Sequence, residues 1–114
     1  MSLAKKQCTA CEGIDKAFSR SAALKMMKTV KGWKISSNAK MISRDLVMKN
    51  FIAAVKLVDK IALIAENENH HPDIHLTDYR NLRIELSTHK LKGLTENDFI
   101  VAAKINELPL ELKV

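Results

Sequence analysis

The most regular pattern of apolar residues in the chain runs from residue 49 to residue 69. Apolar side chains recur there at steps of three and four residues, which is the spacing of one face of an α-helix. Pro72 follows the segment, and a proline ring disfavours helical geometry in the residue before it, His71. We therefore predict a long helix that ends before Pro72. Its predicted buried face consists of Phe51, Ala54, Val55, Val58, Ile61, Ala62 and Ala65.

A second helix is predicted over residues 19–32, SRSAALKMMKTVKG. Ser19 or Ser21 is a suitable cap, because a serine hydroxyl accepts a hydrogen bond from a free N–H of the first turn. Gly32 is a typical stop signal. The predicted apolar stripe of this helix consists of Leu24, Met27 and Val30.

A third helix is predicted over residues 95–108, TENDFIVAAKINEL, between Gly93 and Pro109. Thr95 and Asp98 stand three residues apart, as in a capping box, where two side chains bond each other's backbone N–H groups. Asp98 therefore has a structural explanation, although a carboxylate at a helix start can also face a cleft. The side chains available for packing are Phe99, Ala102, Ala103 and Ile105.

Three segments have the pattern of β-strands. WKIS (33–36) and AKMISRDLVM (39–48) flank a turn at Ser37-Asn38 and predict a β-hairpin. NLRIELST (81–88) alternates cleanly between apolar and polar residues, as a half-buried strand does. One face of this strand carries Leu82, Ile84, Leu86 and Thr88, and the other carries Asn81, Arg83, Glu85, Ser87 and His89.

These elements follow one another as helix, hairpin, helix, strand and helix, without a repeat. The order predicts an α+β fold, a four-stranded antiparallel sheet with about three helices packed on one face. We expect one domain over residues 1–114, in which residues 1–18 form an irregular N-terminal arm. Because open sheets leave unpaired edges, pairing between subunits is expected to cover them in a homodimer or homotetramer.

Composition limits the class of protein. A chain of 114 residues with 46% hydrophobic residues and two prolines is typical of one globular core rather than a disordered segment. No apolar run approaches the roughly 20 residues of a membrane span, and the N-terminus lacks the apolar stretch of a signal peptide. We therefore expect a cytoplasmic protein with no membrane partner.

The net charge of +6 is concentrated in the first half of the chain. Residues 1–60 carry 13 Lys/Arg and 4 Asp/Glu, a balance of +9, whereas residues 61–114 carry 6 and 9, a balance of −3. A basic half is a feature of proteins that bind nucleic acid or acidic partners. Since these cations come singly with little aromatic interleaving, the pattern favours a solvated face, and direct nucleic-acid binding is the less favoured alternative.

Two arrangements could hold a metal ion, and neither is complete. Cys8-x-x-Cys11 is half of a zinc site or a dithiol, but the chain has no second cysteine pair. His71 and His75 stand four residues apart, as in zinc-binding helices, but Pro72 lies between them. No metal site is favoured.

The adjacent residues His70 and His71 are better suited to proton transfer. Both acid and base forms of an ordinary imidazole are available near neutral pH. Glu66 precedes His70 by one helical turn, so we predict that it bonds and orients this ring. His89 lies where a strand leaves the sheet, off the apolar face. Two surface histidines with no function are the alternative that these residues alone leave open.

Taken together, these residues resemble the signature of the pterin-4a-carbinolamine dehydratases in type and spacing. The matching positions are Glu66, His70, His71, Pro72, Tyr79, His89 and Asp98. The resemblance extends over nearly the whole chain. Its other segments are Cys8-x-x-Cys11-Glu12-Gly13, Gly32-Trp33, Ala65-Glu66, Ser87-Thr88-His89 and Gly93-Leu94-Thr95.

The resemblance implies a reaction and a site. Members of the family dehydrate 4a-hydroxytetrahydropterin to quinonoid dihydropterin, which recycles the pterin used by aromatic amino acid hydroxylases. The pterin is the substrate, and no metal or organic cofactor is implied. By this likeness His70, His71 and His89 share the acid and base roles, while Glu66 and Asp98 orient them or balance their charge. The residues implied to bind substrate are Pro72, Ser87 and Thr88.

The chain departs from the family in its aromatic residues. Leu46-x-Met48 stands where many members have Phe-x-Phe, and the rings available to stack on a pterin are Trp33, Tyr79 and three phenylalanines. Relatives of this family also act as a dimerisation cofactor of a transcription factor or as enzyme-assembly factors. A non-catalytic protein-binding module is therefore the alternative, but the presence of all three histidines and both acids favours the enzyme.

Overall fold

The computed structural model describes residues 3–9, 14 and 16–114. Within these residues the α-helices are α1 (Arg20–Met26), α2 (Phe51–Glu68) and α3 (Glu96–Asn106). The strands are β1 (Lys34–Ile35), β2 (Ile42–Val47), β3 (Asp73–Thr77) and β4 (Asn81–Leu86). Short 3₁₀ turns occupy Leu3–Lys5, Met27–Thr29 and His89–Leu91. The predicted α+β class, with helices on an antiparallel sheet, is confirmed.

The four strands form one antiparallel sheet in the order β1-β2-β4-β3. The predicted hairpin is present, since Ile35 of β1 pairs with Ile42 of β2. The apolar pattern did not locate β3, which lies at an edge of the sheet and alternates between exposed and half-buried residues. β3 pairs with β4, and Asp73 lies opposite Glu85.

The core lies between one face of the sheet and the helices. The alternation predicted for β4 is confirmed, because Leu82, Ile84 and Leu86 are all buried in one cluster with Phe99 of α3 and Ile61 of α2. The other face of β4 is polar. This arrangement leaves both ends of the sheet available for loops that carry site residues.

The prediction for the buried face of α2 was partly wrong. Phe51, Val55 and Ala62 are exposed, and Leu57 is buried in the core instead. Apolar residues occupy more than one side of this helix, so that periodicity alone does not decide which side meets the sheet. The residues of α2 that are buried are Ala53, Ala54, Leu57, Ile61 and Ala65.

α2 ends at Glu68. Pro72 alone would disfavour helical geometry only at His71, two residues beyond the observed cap at Asn69. Asn69 adopts the left-handed conformation with φ 51°, and the N–H of His70 returns to the carbonyl of Ala65 at 3.1 Å. Asparagine is the commonest residue after glycine in this type of helix end. The turn directs His70 away from the helix axis.

α1 begins as predicted and is shorter than predicted. The Ser19 hydroxyl accepts the N–H of Ala22 at 3.2 Å and caps the helix. The α-helix ends at Met26 and is followed by a 3₁₀ turn, and Gly32 has a φ of 84°. Leu24 is exposed, so the predicted apolar stripe was wrong at this position.

The first described residues lie against α2 and α3. The Asn97 side chain accepts the N–H of Thr9 at 2.9 Å and donates to the carbonyl of Thr9 at 2.6 Å. Glu68 accepts the N–H of Cys8 at 2.8 Å. The arm is therefore anchored at these points, and Cys11, the second member of the cysteine pair, lies outside the described residues.

Among the helices that the structure describes, none is both long and apolar enough to cross a membrane.

Candidate active site

The β3–β4 hairpin brings the histidine pair and the end of β4 to the same end of the sheet. Pro72 immediately precedes β3, and Ser87 and Thr88 immediately follow β4. Because Asp73 pairs with Glu85, the segment that precedes β3 and the segment that follows β4 leave the sheet at the same end. Two segments that are 16 residues apart in the chain thus become neighbours.

His70 is held in the interior by Asp98. Its Nε2 lies 2.6 Å from Oδ1 of Asp98, and the two residues are only 7% and 0% exposed. Oδ2 of the same carboxylate accepts the hydroxyl of Thr88 and the N–H of Thr95, each at 2.9 Å. A carboxylate has only acceptors, so this contact places a proton of His70 on Nε2, and in the neutral form of the ring Nδ1 is then the acceptor.

Asp98 caps a helix and also contacts His70. It forms the predicted capping box with Thr95 at the start of α3, and its other oxygen meets His70. The cap fixes the position of the carboxylate relative to the helix axis, and the carboxylate in turn determines the tautomer of the imidazole. The orientation of His70 is thereby coupled to the start of α3.

The predicted partner of Glu66 was wrong. Glu66 Oε2 lies 2.5 Å from Nε2 of His71 rather than against His70. The left-handed residue Asn69 turns His70 inwards and leaves His71 on the surface beside the last turn of α2. Both members of this pair are exposed, so the carboxylate orients His71 without removing it from solvent.

His89 is the most accessible of the three histidines. It is 69% exposed at the side chain, and its Nε2 lies 3.8 Å from Oδ2 of Asp73. Asp73 was missing from the sequence prediction because β3 was not located. The signal was nevertheless present, since an acid directly after His70-His71-Pro72 lies opposite the end of β4 once the two strands are paired.

A cavity of about 390 Å³ lies beside His89. One wall is the turn that joins β1 to β2, in which the Ser36 hydroxyl accepts the N–H groups of Lys40 and Met41. The opposite wall follows β4. The lining residues are Ser36, Asn38, Lys40, Met41, Ser87, His89, Lys92 and Gly93.

The sequence of the chain matches a known family. The family model described as pterin 4 alpha carbinolamine dehydratase matches residues 16–108. The chain belongs to this family. Among the described residues, no group of three or more His, Cys, Asp or Glu side chains is arranged to hold a metal ion.

Curated relatives of the pterin-4a-carbinolamine dehydratase family match most of the chain. The mitochondrial pterin-4-alpha-carbinolamine dehydratase 2 of Arabidopsis thaliana is 40% identical over 112 residues, which are 96% of this chain and 60% of that protein. A protein of Halorhodospira halophila, provisionally named pterin-4-alpha-carbinolamine dehydratase, is 42% identical over 95% of this chain and 98% of its own length.

Two solved structures share the fold. A transcriptional coactivator/pterin dehydratase of Brucella melitensis superposes with a TM-score of 0.74 and 28% identity, over 80% of this chain and 96% of that one. A pterin dehydratase-like protein identified as a RuBisCO assembly factor in the alpha-carboxysome gives a TM-score of 0.55 over 66% and 86% of the two chains. At 18% identity, the second likeness concerns the fold alone.

The remaining residues of the family signature do not all reach this region. Tyr79 lies in the turn between β3 and β4, at the opposite end of the hairpin from Pro72, where its ring contacts the guanidinium of Arg80. Trp33 is buried and bonded to Asn106, and the rings of Phe18 and Phe99 pack on each other. Among the residues that the structure describes, no Phe, Tyr or Trp lines the cavity beside His89.

Cys8 is not a reactive member of the site. Burial, with the carboxylate of Glu68 as the next cause, raises the pKa of its thiol to about 12. The thiolate is the form that binds metals and attacks electrophiles. The geometry of Cys8 therefore favours a packing role beside α2 and α3.

Proposed function

We propose that this chain dehydrates 4a-hydroxytetrahydropterin to quinonoid dihydropterin by histidine acid–base catalysis. The observation that carries the proposal is the convergence of His70, His71 and His89 at one end of the β3–β4 hairpin, in a member of the dehydratase family. The reaction expels the 4a-hydroxyl as water after it receives a proton, and the proton on N5 leaves. One acid and one base therefore suffice, and imidazoles supply both near neutral pH.

The surroundings of the three rings support different roles. His70, with Nε2 engaged by Asp98, offers Nδ1 as an acceptor, which suits the base that removes the N5 proton. His71 and His89 are exposed, which suits donors that reach the departing hydroxyl. Glu66 and Asp73 lie beside these two rings and orient them. We assign Pro72, Ser87 and Thr88 to the walls that hold the substrate or its histidines.

The biological setting proposed with this activity is recycling of the pterin used in aromatic amino acid hydroxylation. The curated relatives carry the dehydratase name, which supports the substrate class. The cytoplasmic location stays a prediction from the sequence.

A homo-oligomer, either a dimer or a tetramer, forms part of the proposal. β3 is an edge strand, and the large apolar side chains of Phe51, Ile52 and Leu63 are exposed on α2. Exposed apolar side chains of this size along one helix are a feature of association surfaces. Light scattering of the purified chain measures the mass directly, and a monomer at micromolar concentration contradicts this part.

The dehydratase is tested with 4a-hydroxytetrahydropterin generated in situ by a phenylalanine hydroxylase. We expect the wild type to accelerate dehydration over the spontaneous reaction. We expect His89→Ala to lose about 10² or more of the rate, because that is the usual contribution of one proton-transfer group. His75→Ala is the matched control, since His75 is also exposed and also beside a carboxylate, Glu85, but lies on β3 outside the site.

A protein-binding module without catalysis is the second candidate. It is supported by the name of the Brucella melitensis relative, which includes transcriptional coactivator, and by the exposed apolar residues of α2. The same assay separates the two. A well-folded wild type that gives no acceleration contradicts the dehydratase and leaves the binding module.

A further inference from the structure

A second cavity, also of about 390 Å³, lies between the turn after α1 and the C-terminal end of α3. Among the residues that the structure describes, it shares no lining residue with the cavity beside His89. The surface it presents is strongly cationic, because three of its five described lining residues are Lys or Arg and none of the five is Asp or Glu. The lining residues are Lys28, Thr29, Lys31, Arg44 and Asn106.

Arg44 is held in this cavity by a neutral partner. Its Nη1 donates to Oδ1 of Asn106 at 2.5 Å, and the indole Nε1 of Trp33 donates to the same oxygen at 2.8 Å. The Asn106 amide nitrogen donates to the carbonyl of Lys31 at 3.0 Å. With every polar atom of the amide engaged, its orientation is determined, and it in turn orients the guanidinium.

The backbone at Gly32 also positions the guanidinium. Gly32 has a φ of 84°, a conformation that side-chain-bearing residues rarely adopt. A Cβ placed there would lie 3.2 Å from Nε of Arg44 and 3.4 Å from its Cζ. The guanidinium therefore lies directly against the Gly32 backbone, and its lateral movement is limited.

No acid in the described part of the chain neutralises the positive charge of this cluster. Within residues 3–9, 14 and 16–114, no carboxylate is within ion-pair distance of Lys28, Lys31 or Arg44. The C-terminal end of α3 offsets only about half of one charge. Of the five N–H donors of a guanidinium, the bond to Asn106 uses one, and no other described acceptor takes the rest.

We propose that this cavity binds a phosphate group, either as the free anion or as the monoester of a small molecule. A planar guanidinium forms two parallel hydrogen bonds to phosphate oxygens, and lysines add charge without demanding one geometry. A phosphate monoester carries about −1.5 to −2 charges near pH 7, which matches one arginine with two lysines. This site is independent of the dehydratase proposal.

The single tryptophan provides the reporter for the test. Trp33 shares the Asn106 oxygen with Arg44, so a phosphate bound by Arg44 is expected to move the indole N–H signal in ¹H–¹⁵N spectra. Sodium phosphate and adenosine 5′-monophosphate are titrated separately, with chloride keeping the ionic strength constant. We expect a saturable shift of this signal, with a dissociation constant in the millimolar range or below. Tighter binding of the nucleotide identifies an ester as the ligand, and equal or tighter binding of inorganic phosphate identifies the free anion.

Variants show whether the shift comes from this cavity. Lys28→Gln/Lys31→Gln removes two exposed cations and keeps the hydrogen bond from Asn106 to the Lys31 carbonyl. We expect the dissociation constant for phosphate to rise by about tenfold or more in this double variant. Lys56→Gln/Lys60→Gln, two exposed positions of α2, removes the same charge elsewhere and is expected to bind as the wild type does. The proposal is overturned if neither phosphate gives a saturable shift, or if the two double variants weaken binding equally.

Discussion

Asp98→Asn is the substitution that tests most directly how the site is organised. In the native chain a carboxylate faces Nε2 of His70 and therefore requires the proton to be there. Asparagine has nearly the same shape but one oxygen and one NH₂ group. The oxygen is expected to take the side of Thr88 and Thr95, because these two donors would otherwise face the NH₂ group. The NH₂ group then donates to His70, and the proton of the ring is forced onto Nδ1.

The cost in stability follows from the same contacts. A hydrogen bond to a charged acceptor contributes about 1.5–3 kcal/mol, and one to a neutral acceptor about 0.5–1.5 kcal/mol. All three bonds to the Asp98 side chain, from His70, Thr88 and Thr95, lose their charged acceptor, so a loss of about 3 kcal/mol in the free energy of unfolding is expected. Since small domains have about 5–15 kcal/mol in total, the variant is expected to fold. The dehydration rate is expected to fall by about 10²–10⁴, because the acceptor nitrogen of His70 is lost.

Urea denaturation gives the stability, ¹⁵N chemical shifts of the ring give the tautomer, and the in situ pterin assay gives kcat/KM. Thr95→Ala is the matched control. It weakens the cap of α3 by about 0.5–2 kcal/mol and keeps the His70–Asp98 contact. Its activity is expected to fall far less. The reasoning is refuted if Asp98→Asn leaves the proton on Nε2 or retains the wild-type rate.

Two further predictions concern titrating groups outside the site. The first uses a Cys11→Ser variant, in which Cys8 is the remaining thiol. At about pH 8 we expect Cys8 to react with iodoacetamide roughly a thousandfold more slowly in the native state than in urea, because its pKa is raised from 9.0 to about 12. Rapid labelling of the native chain contradicts the buried position. The second concerns Glu85, whose carboxyl pKa is lowered below its ordinary 4.5 by hydrogen bonds from Arg83 and His75. The ionised carboxylate therefore stabilises the fold above pH 4.5. This stabilisation disappears as the pH falls through the lowered pKa. The difference in unfolding free energy between wild type and Glu85→Gln is therefore expected to shrink as the pH falls below 4.5. A difference that stays the same from about pH 4.5 down to about pH 2 contradicts the assignment.

The parts of the fold that the sequence predicted well are those with a local cause. The capping box of Thr95 and Asp98 depends on residues three positions apart, and the alternation of β4 depends on the pleat of a single strand. The buried face of α2 was predicted less well, because Phe51 and Leu57 are both apolar and only the packing of the whole chain decides between them. β3 was missed since an edge strand is half-buried and its alternation is weak.

The pairing of the site residues was beyond local patterns for a similar reason. Glu66 and His70 have the spacing of helical neighbours, and the prediction that they bond assumes that the helix continues. A single left-handed residue, Asn69, rotates the chain and exchanges the partners, so that Glu66 meets His71 and Asp98 meets His70. The resemblance to the family named these residues together, but the contacts among them depend on this one backbone conformation.

The double role of Asp98 determines how results on this site must be interpreted. Because the same carboxylate caps α3 and fixes the His70 tautomer, a loss of activity on its removal does not by itself separate misfolding from lost proton transfer. Thr95 belongs to the cap but does not contact His70, and His89 is exposed with its own acid, Asp73. A fall in rate that follows the state of the His70 ring and is absent when only the cap is weakened therefore isolates the chemical contribution of Asp98. The coupling also gives a physical reason for an acid at this position. The first turn of α3 holds the carboxylate in a fixed position, and a carboxylate in that position holds a buried imidazole in one tautomer.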